Sequence, residues 1–147
     1  MIRIDFYVLQ AGARLDRERL VCRLANKAFE QGQPLYIHAA ASEEAERLDD
    51  LLWTFRDISF LPHQLLHEGY TPDVPVFIGC GDAPPGAMKL MINLAHPAPP
   101  FIDRFERVIE VVGQELDLRQ QARERYRHYQ NCGYSINTYP PITSYHE

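Results

Sequence analysis

The sequence predicts a three-layer α/β fold, in which a mostly parallel central sheet carries helices on both faces. Short apolar runs alternate with helical stretches along most of the 147 residues. One of these runs, PLYIHAAA at 34–41, is continuously apolar, which is typical of an interior strand covered on both sides. Strands separated by helices pair in parallel, because each helix returns the chain to the same end of the sheet.

The chain begins with a predicted strand at 2–8, where apolar residues alternate with polar or aromatic ones, so that one face is expected to be buried. A helix follows over 16–31, with Asp16 as its N-cap and Gly32 as its stop. A second strand lies within 34–41. This first third of the chain therefore predicts the order strand, helix, strand.

Ser42 is expected to cap a second helix, whose buried stripe consists of Ala45, Leu48, Leu51 and Leu52. The middle of the chain is rich in proline, which predicts loops and short strands. Two strands are expected there, at Val76–Cys80 and Lys89–Ala95. A short helix around Phe101–Phe105 is expected to come next.

A β-branched run, Arg107–Val112, predicts a further strand. The last helix is expected to begin near Asp117, with Gln120 completing a capping box, and to end at Gly133. Tyr134–Tyr139 predicts a final short strand. Residues 1–147 are thus expected to form one domain, since a chain of this length can bury a sizeable core.

Composition narrows the possible functions. The net charge of −5 argues against a dedicated nucleic-acid binder, so direct contact with single-stranded DNA is not expected. The three cysteines are widely spaced and do not form a CxxC pair, which indicates reduced thiols in a cytoplasmic protein. No signal peptide and no run of membrane-spanning length is present in the sequence, so no membrane association is expected.

The last predicted helix has the most conspicuous pattern in the chain. Arg119, Arg123 and Arg127 recur every fourth residue and therefore form one ridge along a helix face, with Tyr126 beside it. Guanidinium groups next to an aromatic ring suit an anionic partner that carries carboxylates or phosphates. The alternative is an ordinary solvated face, stabilised by two intrahelical pairs, Glu115 with Arg119 and Glu124 with His128.

A second conspicuous stretch, WTFRDISFLPH at 53–63, holds the only tryptophan of the chain. Its candidate residues are Trp53, Phe60, Leu61, Pro62 and His63. Two interpretations stay open, because aromatic residues in such a segment either bury themselves or form an exposed patch that marks a protein partner.

No motif commits the chain to catalysis or to a cofactor. The first turn, QAGARLD, has one glycine, and GCGDAPPG has the wrong spacing for a phosphate-binding loop. His63 and His67 follow a proline rather than lying on a long helix, so surface histidines are expected instead of a metal site. The fold is therefore predicted to be Rossmann-like without a nucleotide site. The alternative is a nucleotide-dependent enzyme, which a large thermal shift with ATP or NAD would reveal.

Four segments together resemble a known family. FYVL, RLDDLLW, SFLPH followed by HEG, and above all LRQQARERYRHYQNCGYSINT resemble, in this order, the chi subunit of bacterial DNA polymerase III holoenzyme. The resemblance covers nearly the whole chain. It implies a non-catalytic adaptor that links the clamp loader, through the psi subunit, to single-stranded DNA-binding protein.

The same resemblance implies two binding surfaces. Arg119, Arg123, Tyr126 and Arg127 match the family's positions for the acidic C-terminal tail of single-stranded DNA-binding protein, which ends in phenylalanine. The aromatic stretch, with Trp53, Phe60, Leu61, Pro62 and His63, matches the face used for psi. A monomer in a heterodimer with psi is the expected state, and the sequence leaves the apolar wall of the tail pocket unassigned.

Overall fold

The computed structural model of the protein describes residues 2–10, 16–55 and 60–139. Within these ranges the chain forms seven strands and three α-helices. The strands are β1 Arg3–Val8, β2 Leu35–His38, β3 His63–Leu65, β4 Val76–Gly79, β5 Leu90–Asn93, β6 Arg107–Val112 and β7 Ser135–Thr138. The helices are α1 Arg17–Glu30, α2 Ser42–Thr54 and α3 Leu116–Asn131, and 3₁₀ turns lie at Leu66–Glu68 and Ile102–Arg104.

All seven strands belong to one parallel sheet in the order β3-β4-β2-β5-β6-β1-β7. One apolar cluster joins the sheet to α1 and α2, and a second joins the opposite face to α3 and the 3₁₀ turn at Ile102–Arg104. Helices therefore cover both faces, which confirms the predicted three-layer α/β fold. In the part of the chain that the structure describes, no helix is long and apolar enough to cross a membrane.

Strand β1 departs from its predicted environment, because it lies inside the sheet between β6 and β7. Asp5 is fully buried, so both faces of β1 are covered rather than one. Burial alone raises the pKa of Asp5, but hydrogen bonds from Arg3, Asn137 and Arg107 outweigh it and hold that pKa below its usual value. The alternating pattern at 2–8 thus contains a buried, paired carboxylate rather than a solvated one.

The helix termini agree with the sequence only in part. The carboxylate of Asp16 accepts a hydrogen bond from the backbone N–H of Arg19, which confirms the N-cap of α1. Ser42 is the first residue of α2 and not its cap. Glu44 instead accepts a hydrogen bond from the backbone N–H of Ala40 at 2.8 Å, so the cap is formed from inside the helix.

The predicted capping box of α3 is also wrong. The helix begins at Leu116, one residue before Asp117, and its N-cap Glu115 forms no side-chain capping bond. The predicted end is close, since the helix stops at Asn131 and Gly133 has a φ of 79°.

Two features of the irregular middle were not assigned from the sequence. The three residues His63–Leu65 form the edge strand β3, too short for periodicity to reveal. Gly79 has a packing role, because a Cβ atom there would lie 2.9 Å from the hydroxyl oxygen of buried Tyr36. The first turn, within 11–15, and the C-terminal segment 140–147 lie outside the described residues.

His38 at the end of β2 is expected to make the fold sensitive to acid. Its ring is buried beside Phe101, and its Nδ1 lies 2.8 Å from the Tyr36 hydroxyl. Burial lowers the pKa of His38 to about 4, so the folded protein keeps the ring neutral while the unfolded chain protonates it near pH 6.5. Stability is then complete above about pH 6.5 and is lost as the pH falls toward 4.

The variant His38→Gln tests this linkage. Urea unfolding at pH 7.5 and pH 5 is expected to show that the wild type loses about 1 to 2 kcal/mol more than the variant between the two pH values. Equal losses in the two proteins would contradict the assignment, because other titrating groups would then explain the whole effect.

Candidate functional site

Helix α3 lies on the sheet with one apolar side and one polar side. Ala122, Arg125 and Tyr129 are its buried residues, although arginine is rarely found in a helix core without a partner. Arg123 and Arg127 are four residues apart, and both are exposed on the solvent side. The rotation of the helix about its axis therefore decides which arginines are available to a partner.

A buried ion pair fixes that rotation. Arg125 donates from Nη2 to Glu110 Oε1 of strand β6 at 3.0 Å, and its Nε lies 3.2 Å from both carboxylate oxygens. The exposed fraction of the Glu110 side chain is 0% and that of the Arg125 side chain is 7%. Two neighbours complete the network. The side-chain amide of Asn93 donates to Glu110 Oε2 at 3.0 Å, and the Tyr129 hydroxyl also donates to Oε2. Burial is the largest cause that raises the pKa of Tyr129, and the charge of Glu110 adds to it. The Tyr129 hydroxyl therefore stays protonated and can donate.

The network continues to the side of α3 that faces strand β5. His96 Nδ1 lies 3.1 Å from an Nη atom of Arg125, and its Nε2 lies 3.0 Å from the carboxylate of Glu124. Glu124 and Arg125 are thus engaged on the β5 side. The opposite side of the helix, which carries the arginine ridge, faces strand β7.

A pocket of about 340 Å³ lies on this opposite side, between α3 and the ends of three strands. We call it the tail pocket and define it by eight lining residues. They are Phe6 and Val8 of β1, Val112 of β6, Thr138 of β7, and Arg119, Ala122, Arg123 and Tyr126 of α3. The floor is apolar and the rim is cationic. The ring of Tyr126 packs against Phe6, with 5.5 Å between the ring centroids.

The structure thus brings three of the four predicted tail-binding residues together, whereas exposed Arg127 does not line the pocket. The guanidinium group of Arg119 is partly engaged within the protein, because one Nη atom donates to the backbone oxygen of Leu9. Its Nε is buried and has no hydrogen-bond partner among the described residues. Arg123 is exposed, and no ion pair forms between it and any described residue. An anion at the rim would therefore find the solvated guanidinium of Arg123.

The alternative of a plain solvated face predicted two intrahelical ion pairs. Neither pair is formed among the residues that the structure describes, because Arg119 bonds to Leu9 and Glu124 bonds to His96 instead. The ridge is therefore not neutralised by its own helix.

A larger cavity, of about 520 Å³, lies on the α1 side of the sheet. Its charged lining is largely engaged within the protein. Arg107 pairs with buried Asp5 at 2.7 Å, and Lys89 lies 3.8 Å from Glu106. These pairs make it a weaker candidate than the tail pocket for an anionic ligand.

The aromatic stretch forms an exposed patch at the end of α2. Trp53 is 56% exposed and Phe60 is 67% exposed, and their ring centroids lie 5.5 Å apart. Of the two interpretations that the sequence left open, exposure holds for these two rings. We call this pair, together with the half-buried Pro62, the aromatic patch.

Two residues of the same stretch are buried beneath the patch rather than exposed in it. Leu61 is fully buried in the core, so it supports the patch and does not present itself to a partner. The His63 side chain is also buried, with Nε2 3.1 Å from Asp49 Oδ1 and Nδ1 2.7 Å from the oxygen of Leu61. This corrects the expectation of a surface histidine. The ring of Trp53 lies over it, with a centroid distance of 4.5 Å.

No group of three or more metal-ligating side chains is found in the described ranges. The three cysteines are free thiols, with Cys22 buried and the other two exposed. Burial raises the pKa of Cys22 to about 12, so its thiol is not activated for nucleophilic chemistry.

Five lining residues of the tail pocket were not identified from the sequence: Phe6, Val8, Val112, Ala122 and Thr138. Four of them come from strands, and the fifth, Ala122, comes from the buried face of α3. Only the parallel register, which aligns Val8 with Val112 and Phe6 with Thr138, brings them beneath α3.

Known structures share the architecture. The chain aligns over 94% of its length with 41% of the crystal structure of T4 UvsW, with a TM-score of 0.61 and 10% sequence identity. At this identity the similarity concerns the α/β fold alone.

Sequence comparison is more specific. Residues 1–137 match the family model described as DNA polymerase III chi subunit, HolC. DNA polymerase III subunit chi of Pseudomonas aeruginosa is 40% identical over 92% of this chain and 94% of its own length. The corresponding subunit of Escherichia coli is 33% identical over 94% of this chain and 97% of its own length. The chain therefore belongs to the DNA polymerase III chi subunit family.

Proposed function

We propose that this protein is a non-catalytic adaptor of the DNA replicase. In this role it binds the acidic C-terminal tail of single-stranded DNA-binding protein through the tail pocket and binds the psi subunit through the aromatic patch, which connects the tail to the clamp loader. The single observation that carries the first half is the pocket with an apolar floor and a cationic rim. Family membership supports a role in DNA replication, because chi is a subunit of DNA polymerase III.

The pocket has the chemistry that an acidic tail ending in phenylalanine requires. A terminal phenyl ring fits an apolar floor of this size, where Phe6 and Tyr126 offer aromatic contacts. The terminal carboxylate then reaches the rim, where the guanidinium of Arg123 is solvated. A guanidinium group holds a carboxylate with two parallel hydrogen bonds, so one arginine suffices for the terminus.

The remaining acidic side chains of the tail would be attracted by the outer part of the ridge. Arg127 is exposed and lies one helical turn beyond Arg123. Exposed charge pairs contribute little each and are screened by salt. The affinity is therefore expected to be modest and reversible, which suits a contact that forms and breaks during replication.

Ionic strength tests the electrostatic part of this proposal. A ten-residue acidic peptide with a C-terminal phenylalanine is expected to bind about ten-fold more weakly at 0.5 M than at 0.05 M NaCl, because the Debye length falls from roughly 14 Å to roughly 4 Å and the charges are then screened. Isothermal calorimetry gives both constants. An affinity that does not change with salt would contradict a cationic rim as the recognition element.

The psi-binding part of the proposal depends on the aromatic patch. Two large rings exposed side by side are unusual on a monomer surface and are typical of interface centres. Trp53 is held in place from below, because it packs on the His63 ring and His63 is bonded to Asp49, and Phe60 packs against Trp53. The patch is therefore a preorganised surface and not a pair of freely moving side chains.

The variant Phe60→Ser tests the patch. Loss of a mostly exposed ring is expected to leave the stability within about 0.5 kcal/mol of the wild type, but to weaken binding of purified psi at least about 30-fold, as for an interface hot spot. Leu116→Ser is a matched control, since Leu116 is 86% exposed at the start of α3, away from the patch. Unchanged psi binding in Phe60→Ser would contradict the assignment, and an unfolded variant would show that Phe60 has a structural role.

A further inference from the structure

We propose that the open edge of strand β7 is a docking site for an extended acidic peptide, which adds to the sheet as an eighth strand next to the tail pocket. This inference rests on the proposed function, and it specifies how the part of the tail before its last residue is bound. Strand addition supplies main-chain hydrogen bonds to a ligand whose side chains alone make few contacts.

The outer side of β7 carries backbone hydrogen-bonding groups that no residue of the described ranges engages. Among the strands that the structure describes, β7 pairs only with β1, and the N–H groups of Ser135 and Tyr139 donate to carbonyl oxygens of the β1 segment at 3.2 and 3.0 Å. Alternate residues of a strand face the same neighbour, so the N–H and C=O groups of Ile136 and Thr138 point away from β1. No described residue pairs with them on that side.

The arginine ridge borders this same open side. Helix α3 contacts His96, next to β5, through Glu124 and Arg125, whereas Arg123 shares the tail pocket with Thr138 of β7. An extended chain along β7 would therefore lie between backbone groups that no described residue engages and a row of positive charges. The strand itself, Ser-Ile-Asn-Thr, has no charged residue that would repel an acidic peptide or block strand pairing.

The spacing of the ridge matches that of an extended chain. Arg119, Arg123 and Arg127 are four residues apart, which is about 6 Å along the helix axis for each step. Two residues of a β-strand span about 6.6 Å. Acidic side chains at alternate positions of the added strand would therefore meet successive arginines, and they would all project from one face of that strand.

The position of the pocket sets the direction of the added strand. The tail pocket is lined by Val8, Val112 and Thr138, which are the last residues of their strands. A peptide whose terminal residue fills this pocket has its carboxyl end at the carboxyl end of β7. It therefore runs parallel to β7, as all the other strands of this sheet run parallel to one another.

A backbone N-methyl scan tests the docking mode. The probe is a ten-residue acidic peptide ending in phenylalanine, and each of the six residues before that phenylalanine is N-methylated in turn. Only every second N–H of an added strand faces β7, so alternate positions are expected to weaken binding about 3- to 10-fold, while the positions between them change it less than about two-fold.

A second readout locates the contact on the protein. In amide hydrogen exchange followed by NMR, the N–H groups of Ile136 and Thr138 are expected to exchange several-fold more slowly when the unmodified peptide is bound. A peptide that binds with no alternation in the scan and no slowing at these two amides overturns strand addition but leaves the proposed tail binding intact. A peptide that does not bind at all overturns both.

Discussion

Replacing Arg123 by glutamate is expected to weaken binding of the acidic tail peptide at least about 100-fold while leaving the fold intact. A hydrogen bond to a charged group contributes about 1.5 to 3 kcal/mol, and each 1.4 kcal/mol is a factor of ten in affinity. The substitution removes that contact and also brings a negative charge to the rim of the pocket, where it repels the ligand. Arg123 is exposed, so the free energy of unfolding should change little.

Two matched charge reversals make the result specific. Arg127→Glu changes the same helix face but lies outside the pocket lining, so it is expected to weaken binding only about ten-fold. Arg47→Glu lies on α2, on the other face of the sheet, where the Arg47 side chain is 58% exposed, and it is expected to leave the affinity within about two-fold. Equal losses in all three variants would indicate that only net charge matters and would contradict a site at the pocket.

Replacing Arg125 by methionine is expected to destabilise the protein by about 3 to 5 kcal/mol, which is the largest effect on stability that we predict. The substitution leaves the fully buried carboxylate of Glu110 without its cation. Asn93 and Tyr129 still donate to Glu110, but neither carries a charge. Urea unfolding followed by circular dichroism measures the change.

The double variant Glu110→Gln with Arg125→Met separates the ion pair from packing. Because it removes both charges, it is expected to be more stable than Arg125→Met alone. Equal stability of the two variants, or a loss below about 1 kcal/mol in Arg125→Met, would contradict the role of this pair as the anchor of α3. The properly folded fraction of either variant should also bind the tail peptide more weakly, since the helix rotation that presents Arg123 is no longer fixed.

The sequence was sufficient for most of the fold because its signals are local. The continuous apolar run at 34–41 and the β-branched run at 107–112 each became buried strands, and the Asp16 cap lies where the pattern predicts. Errors occurred where a tertiary contact decides the outcome. Asp5 looked solvated in an alternating strand, yet Arg107 from the neighbouring strand makes its burial possible.

The candidate site was predictable only in its polar part. A row of arginines is visible in the sequence because charged side chains with helical spacing stand out. The floor was not visible, since Phe6, Val8 and Val112 look like any other core residues until the parallel register aligns them. The burial of Arg125 could not be predicted from the sequence either. Arg125 lies between two ridge arginines in the sequence, but its partner Glu110 is 15 residues away and lies inside the sheet.

The most direct test of recognition at the tail pocket compares the binding of two forms of one peptide to the unmodified protein. A ten-residue acidic peptide with a free C-terminal phenylalanine is titrated by calorimetry, followed by the same peptide with an amidated C-terminus. The free form is expected to bind one site with micromolar affinity, and amidation is expected to weaken it at least about ten-fold, because the rim then loses the terminal carboxylate. Saturable binding that is the same for both forms, or no binding of the free form, would contradict the tail pocket as the site of recognition.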